Sequence, residues 1–254
     1  MLEFARATIE AAGPIALKYF RLPLTVENKA GTSRFDPVTV VDREIEAFIK
    51  DRISNAYPGH TIVGEETGTR QGNDSIRWFI DPIDGTRAYI SGVPMWGILV
   101  GLMEGSNCCF GLMHQPYLQE TYTGSIAGSF ISKGETSQPL TTRETMELAD
   151  AILYCTHPDV FSDKQDFTTF KVIAKQCRLM RYGGDCYSYC LLAQGCIDLV
   201  IEADLKAYDI VPLIPIIEAA GGMVTDWQGN RPVNGGKVVA SANSVLHEKV
   251  LQLM

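Results

Sequence analysis

Apolar residues recur at helical spacing over residues 2–21, through Phe4, Ile9, Ala12, Ile15, Ala16, Tyr19 and Phe20, and Leu22-Pro23 closes the run. The same period returns from Val40 to Ala56 through Val41, Ile45, Phe48, Ile49 and Ile53, until Tyr57-Pro58-Gly59 stops it. Between these helices, the polar, glycine-containing stretch from Lys29 to Asp36 reads as a loop and as the segment most prone to move. Short apolar or alternating runs then follow at residues 61–63, 77–80, 96–103, 108–114 and 120–123, punctuated by Gly and Pro. They predict the strands of a mainly antiparallel meander.

From residue 151 the pattern alternates. Strands are expected at 151–154, 179–182, 197–201 and 238–240. Helices are expected at 163–176, at 186–194 before Gly195, at 209–220 before Gly221-Gly222, and at 244–253. There is no internal repeat, low-complexity stretch or break in composition. The change near residue 140 therefore divides residues 1–254 into two halves, 1–140 and 141–254, of a single catalytic unit. The fold class is α/β in the broad α+β sense, with a mainly antiparallel first sheet and packed layers of both element types.

Composition narrows the function classes. Hydrophobic residues make up 46% and charged residues 20% of the 254, as in ordinary globular chains. A formal net charge of −8 argues against a nucleic-acid surface, which needs clustered Lys and Arg. It leaves an anionic substrate open, because divalent cations invert the local field. No secretory pattern opens the chain, and no apolar stretch approaches the roughly 20 residues a membrane span needs. Seven cysteines without a Cys-x-x-Cys pair read as reduced thiols, with Cys186 and Cys190 on one helix face, and the expected location is the cytoplasm.

The chemistry lies in the acids. Asp81-Pro82-Ile83-Asp84-Gly85-Thr86 follows the apolar Arg77-Trp78-Phe79-Ile80, and Glu65-Glu66 follows Gly64 at the exit of the strand over 61–63. Pro82 stiffens the turn, so both aspartates can address one point. Gly85 permits close backbone approach, and a helix opening at Thr86 would offer free N–H groups to an anion. Asp209 precedes an apolar helix, where it serves as N-cap, as ligand, or as both through its two oxygens. Carboxylates from separate elements suit two Mg²⁺ ions about 4 Å apart that clamp a phosphoryl transfer. His60, His114, His157 and His247 are isolated in sequence and read as structural or surface residues rather than Zn²⁺ ligands. The residues point to a multi-Mg²⁺ phosphatase.

Trp78-Phe79-Ile80-Asp81-Pro82-Ile83-Asp84-Gly85-Thr86 resembles the central signature of the inositol monophosphatase superfamily. Asp36-Pro37-Val38-Thr39-Val40-Val41-Asp42, Gly64-Glu65-Glu66, Tyr208-Asp209 and Glu218-Ala219-Ala220-Gly221-Gly222 fall in that family's order. The resemblance spans nearly the whole chain. It implies a layered α-β-α-β-α sandwich of the type shared with fructose-1,6-bisphosphatases. It also implies that Glu65, Asp81 and the Ile83 carbonyl hold one Mg²⁺, that Asp81, Asp84 and Asp209 hold a second, and that a third sits near Glu65 and Glu66 through waters. Asp42 and Thr86, with Glu66 beside them, would orient the attacking water, and the Gly85 and Thr86 amides would hold the phosphate. Lys29 would approach the phosphate or the outer metal. Homodimers are implied as well, with the strands over 96–123 as a source of interface.

Within the superfamily, Arg181-Tyr182-Gly183-Gly184-Asp185-Cys186-Tyr187 and Glu202-Ala203-Asp204-Leu205-Lys206-Ala207-Tyr208-Asp209 are similar to the histidinol-phosphate phosphatase branch. Inositol-type members carry a small Ser or Thr in place of Asp185 and Trp in place of Tyr208. Asp185 and Glu202, with Arg181 and Gly184 near them, would read the ammonium and imidazole of histidinol, each charged hydrogen bond contributing roughly 1.5–3 kcal/mol. The other reading makes Asp185 a cap for the helix starting at Cys186. The leading expectation is Mg²⁺-dependent hydrolysis of the phosphate monoester L-histidinol phosphate in histidine biosynthesis, by direct attack of water without a phosphoenzyme. An inositol monophosphatase or broad sugar-phosphate phosphatase with the same metals is the alternative. The intact acid set argues against a non-catalytic ligand-binding descendant. Pro212, where the family usually has Ala, is tolerated in a first helical turn, whereas Pro215 is expected to kink the helix over 209–220.

Overall fold

The computed structural model describes residues 1–23, 26–28, 37–73 and 75–254, so Lys29 and the rest of the loop to Asp36 lie outside the described residues. Helix α1 (Leu2–Tyr19) buries the stripe Ala5, Thr8, Ile9, Ala12, Gly13 and Ala16. A short antiparallel pair, β1 (Val26–Asn28) with β2 (Pro37–Thr39), precedes helix α2 (Val40–Ala56). Thr39 and Asp42 cap α2 reciprocally, each side chain accepting from backbone N–H groups at the other's end of the first turn.

The first sheet has eight strands: β3 (Thr61–Gly64), β4 (Gly68–Arg70), β5 (Ile76–Asp84), β6 (Gly97–Glu104), β7 (Asn107–Gln115), β8 (Glu120–Ser125), β9 (Gly128–Lys133) and β10 (Thr136–Pro139). Their order is β10-β9-β8-β7-β6-β5-β3-β4, antiparallel throughout except for β3 with β5. Helix α3 (Thr86–Ile90) follows β5. The second half supplies β11 (Ile152–Cys155), α4 (Lys164–Ala174), β12 (Leu179–Tyr182), α5 (Asp185–Ala193), β13 (Leu199–Leu205), α6 (Ala207–Ile210), α7 (Leu213–Ala219), β14 (Met223–Asp226), β15 (Gly236–Ser241) and α8 (Ser244–Leu251). Its five strands run β12-β11-β13-β15-β14, parallel from β12 to β13 and antiparallel beyond.

Strand alternation makes these elements into layers. On β6 and β7, Ile98, Val100, Leu102, Phe110 and Leu112 pack with α1 and α2, while Leu99 and Met113 point to α5 and α7. On β13 and β15, Val200, Val238 and Ala240 face the same α5–α7 layer, whereas Leu199, Ile201 and Val239 face Phe170 of α4 and Leu246 of α8. The order is helix, sheet, helix, sheet, helix, as the resemblance implied. The apolar side chains of β6 to β8 are thereby buried within the chain on both faces.

Three glycines let the middle helix layer approach closely. Gly101, Gly111 and Gly124 stand in register across β6, β7 and β8. A Cβ on Gly111 would lie 1.7 Å from the Pro212 carbonyl oxygen, and one on Gly124 would lie 2.2 Å from the Ile216 nitrogen. The backbone around α7 therefore rests directly on the sheet.

The structure departs from the sequence expectations in three places. Strands β1, β2, β4, β9, β10 and β14 have no counterpart among the expected elements, being short and weakly alternating; β10, for one, is exposed along its whole length. Strand β5 does not end at Ile80 but runs on to Asp84. Its register shifts from Asp81 opposite Leu99 to Asp84 opposite Gly97, so one extra residue bulges where Pro82 has no N–H to donate. The helix expected over 209–220 is two helices. Pro212 is the N-cap of α7 and Pro215 lies in its first turn, where no intrahelical N–H is required. The break falls ahead of Pro212, and Pro215 kinks nothing.

Candidate active site

The bulged end of β5 brings Asp81 and Asp84 to one side of the sheet, and α6 delivers Asp209 to the same point. Carboxylate oxygens of the three lie within 4.8 Å of one another. Asp81 is the hub: the charges of Glu65, at the exit of β3, of Asp84 and of Asp209 all bear on it. Burial first, then the charges of Glu65, Asp84 and Asp209, push the Asp81 carboxyl well above the usual range. Asp209 is driven the same way by burial and by Asp84, although the Lys206 N–H donates to its Oδ2 at 2.7 Å. Burial raises Asp84 too, opposed by the Cys186 N–H that its Oδ2 accepts at 2.5 Å.

Crowded, oxygen-only donors, with Asp81 buried and Asp84 and Asp209 half-buried, fit hard divalent cations and fit little else, since each added charge raises the cost of the last. Ile83 belongs to this wall: its carbonyl accepts the Thr86 hydroxyl at 3.0 Å, and its N–H donates to Asp81 Oδ1 at 3.1 Å. Gly85 caps α3 with φ 88°, and a Cβ there would meet the Met95 carbonyl oxygen at 2.9 Å and Asp185 Cβ at 3.1 Å. Only glycine allows that turn and that proximity together.

Asp81, Ile83, Asp84, Gly85, Thr86, Glu65, Asp185 and Asp209 line one open cleft. Asp42 is fully buried, with Oδ2 accepting the Thr39 N–H and hydroxyl at 2.8 and 2.5 Å, so its visible duty is the cap of α2. The Glu66 N–H donates to Glu46 Oε2 at 2.7 Å. Gly184, φ 114°, is the N-cap of α5, and Asp185 follows at φ 42° as its first residue. The reading of Asp185 as the cap thus fails: the carboxylate makes no cap bond and has no hydrogen-bond partner among the described residues. Burial, Asp84 and Glu202 push its carboxyl well up, with Arg87 opposing. Arg181 is exposed on β12, its guanidinium 6.0 Å from the Tyr154 ring, and does not line the cleft.

A smaller pocket of about 120 Å³ adjoins the cleft, walled by Asp185, Glu202, Asp204, Tyr189, Val160 and Leu213. Glu202 Oε1 accepts the Thr156 N–H at 2.7 Å and Oε2 accepts the Tyr189 hydroxyl at 3.0 Å, yet burial still pushes the carboxyl up to about 7. Sequence reading missed Thr156, Tyr189 and Asp204. Asp204, with φ 65°, sits at the register shift of β13, a position betrayed by no local pattern. It also placed all four histidines outside the site. His60, His114 and His247 are structural, bonded to Trp78, to Thr121, and to Thr225 and Ser241, but His157 lines the cleft. The seven cysteines are free thiols, with Cys186 and Cys190 buried on α5.

This fold and acid cluster belong to a class of phosphoric monoester hydrolases, and the chain is a member of the inositol monophosphatase family, whose model matches residues 1–254. It is 36% identical over 257 residues to the bifunctional phosphatase IMPL2 of Arabidopsis thaliana, covering 97% of this chain and 72% of that protein. It is 30% identical to the histidinol-phosphatase of Chlorobaculum parvum, covering 98% and 95%. Among solved structures, an inositol monophosphatase from Zymomonas mobilis superposes with a TM-score of 0.87 at 35% identity, covering 99% and 96%. Among the described residues no helix is long and apolar enough to cross a membrane.

Proposed function

We propose that the protein is a Mg²⁺-dependent phosphatase of L-histidinol phosphate, acting in histidine biosynthesis as a cytoplasmic homodimer. The whole chain acts as one catalytic unit, with residues 1–140 supplying most of the metal site and 141–254 completing the substrate site. Glu65, Asp81, the Ile83 carbonyl, Asp84 and Asp209 hold two Mg²⁺, with a third beside Glu65 and Glu66. Bound Mg²⁺ supplies charge neutralisation at the phosphate and a lowered pKa for water. The N–H groups of Gly85 and Thr86, and Lys29, bind the phosphate oxygens. Asp42 and the Thr86 hydroxyl, with Glu66, aim the attacking water. Attack is direct, so configuration at a chiral phosphorus inverts; retention would mean a phosphoenzyme.

The observation that carries the substrate is the acid-walled pocket beside the metal cluster. Asp185 is half-buried without a hydrogen-bond partner among the described residues, and Glu202 is buried and raised to about 7 by that burial. Such groups gain most from a cationic ligand. The ammonium and imidazole of histidinol supply one, whereas inositol is neutral. Similarity to the histidinol-phosphatase of Chlorobaculum parvum supports the same substrate. A second reading, a polyol phosphate, rests on the likeness to the Zymomonas mobilis inositol monophosphatase. Phosphate release with Mg²⁺ from L-histidinol phosphate and from inositol monophosphate at matched concentrations separates the two. A preference of about 100-fold for histidinol phosphate, about 2.7 kcal/mol, is expected. Equal rates would leave the metal chemistry standing and remove the substrate assignment.

A further inference from the structure

The geometry points to Glu46 as a positioning residue that fixes the Glu65-Glu66 arm of the metal cluster; the inference rests on the metal-dependent reading above. Glu46 lies on α2 one turn beyond Asp42 and is fully buried. Its Oε2 accepts the Glu66 N–H at 2.7 Å, and its Oε1 accepts the Thr67 N–H at 2.9 Å and the Thr67 hydroxyl at 2.5 Å. Lys50, a further turn along α2, reaches Oε1 at 3.0 Å, the Gly68 carbonyl at 2.8 Å and the Thr67 hydroxyl. On the opposite side the Glu65 N–H donates to the Ile80 carbonyl at 3.2 Å, one residue before Asp81. The turn leaving β3 is therefore held from both flanks, by β5 and by the Glu46 carboxylate.

The chemistry of the anchor suits the task. Three donors and an ammonium converge on two oxygens, a set that a carboxylate satisfies and an amide, with its own N–H₂, does not. Charge and hydrogen bonds together offset the burial of the ion. Gly64 is explained by the same contact, because a Cβ there would lie 2.6 Å from the Glu46 carboxyl carbon. The glycine of the Gly64-Glu65-Glu66 triplet thus makes room for the anchor rather than for a ligand. Without a fixed turn, repulsion between Glu65 and Asp81 would drive Glu65 away from the cluster, so a rigid support substitutes for the attraction the two acids lack.

The test uses the full chain as wild type, Glu46→Gln and Gly64→Ala, with Mg²⁺ alone as probe. Isothermal titration calorimetry reads affinity, and melting in EDTA and in saturating Mg²⁺ separates support of the metal from support of the fold. Both variants are expected to bind Mg²⁺ about 10–100-fold more weakly, as loss of a partner behind a metal ligand does. The Mg²⁺-induced gain in melting temperature should shrink as well. Should Glu46→Gln not fold, Gly64→Ala decides between the two roles, since it displaces the same carboxylate with the charge retained. Wild-type affinity in a folded variant, with only a lower melting temperature in both buffers, would make Glu46 a fold residue and overturn the inference alone. Absence of Mg²⁺ binding by the wild type would overturn the metal reading and this inference with it.

Discussion

Asp84 Oδ2 accepts the backbone N–H of Cys186 at 2.5 Å, joining the bulged end of β5 to the first turn of α5 across 102 residues of chain. The bond ties the acid cluster to the acid-walled pocket, because Asp185 immediately precedes Cys186. It also holds one Asp84 oxygen against the first turn of that helix. One hydrogen bond thus couples the proposed chemistry to the proposed selectivity.

Neutralising Asp84 should separate function from stability. Asp84→Asn keeps an oxygen for the Cys186 N–H but removes one of three charges crowded within 4.8 Å. Phosphatase activity is expected to fall about 100-fold or more, the scale of several kcal/mol of lost charge stabilisation. In EDTA the variant should melt about 2–4 °C above the wild type, as relief of about 1 kcal/mol gives in a chain of this size. Measuring both on one preparation checks the prediction, and an unchanged or lower melting temperature in EDTA would contradict it.

The Glu202 carboxyl gives a pH dependence with a definite sign. Its folded-state pKa is raised from 4.5 to about 7 by burial, so between those values the folded state holds a proton that the unfolded state has lost. Stability from this group is complete below about 4.5, falls as pH rises toward 7, and is lost above it. Glu202→Gln, neutral at every pH, should gain on the wild type by on the order of 3 kcal/mol between pH 4.5 and pH 8. Denaturant unfolding in EDTA at the two pH values reads the difference. A constant difference across that window would show that Glu202 titrates normally.

Much of the site was legible because β5 carries two of its acids within one short motif and the glycine after them reports a tight turn. The layers were legible from apolar runs at Ile98, Leu99 and Val100 and at Leu199, Val200 and Ile201, where alternation serves two cores at once. What escaped was tertiary. Glu46 reads as one more polar position of α2, although Asp42, Ile45, Glu46, Ile49 and Ile53 form one buried stripe, and an acid on such a stripe is the signal that could have found it. The break before Pro212 needed the sheet glycines beneath it to be seen. Arg181 shared a motif with Asp185 but is exposed and does not line the cleft, since sequence proximity on a strand says nothing about which face meets a ligand.

The sheet glycines make a prediction of their own. In Gly111→Ala the new methyl would stand 1.7 Å from the Pro212 carbonyl oxygen, which is backbone and cannot swing aside. The segment entering α7 must lift from the sheet, at about 1–3 kcal/mol or more. Asp209, three residues before Pro212, should move with it, so Mg²⁺ affinity should fall alongside the melting temperature. Gly105→Ala is the control: its Cβ meets nothing within 4 Å, and it should lose only the modest cost of its left-handed φ of 59°, about 1 kcal/mol, with metal binding unchanged. Equal losses of Mg²⁺ affinity in the two variants would sink the proposed link between the sheet and the cluster.

Selectivity should reside in Asp185. Asparagine tolerates the left-handed φ of 42° found there and matches the acid in size, so Asp185→Asn removes charge and little else. The carboxylate caps no helix and has no hydrogen-bond partner among the described residues, so its loss should not weaken α5. For L-histidinol phosphate, kcat/KM is expected to fall about 10–100-fold, the scale of a charged hydrogen bond. For inositol monophosphate, which offers no cation, it should hold or rise, because a repulsive negative charge near Asp84 has gone. Steady-state kinetics on both substrates decide the matter. A parallel fall would move Asp185 from the substrate to the metal cluster, through its charge on Asp84.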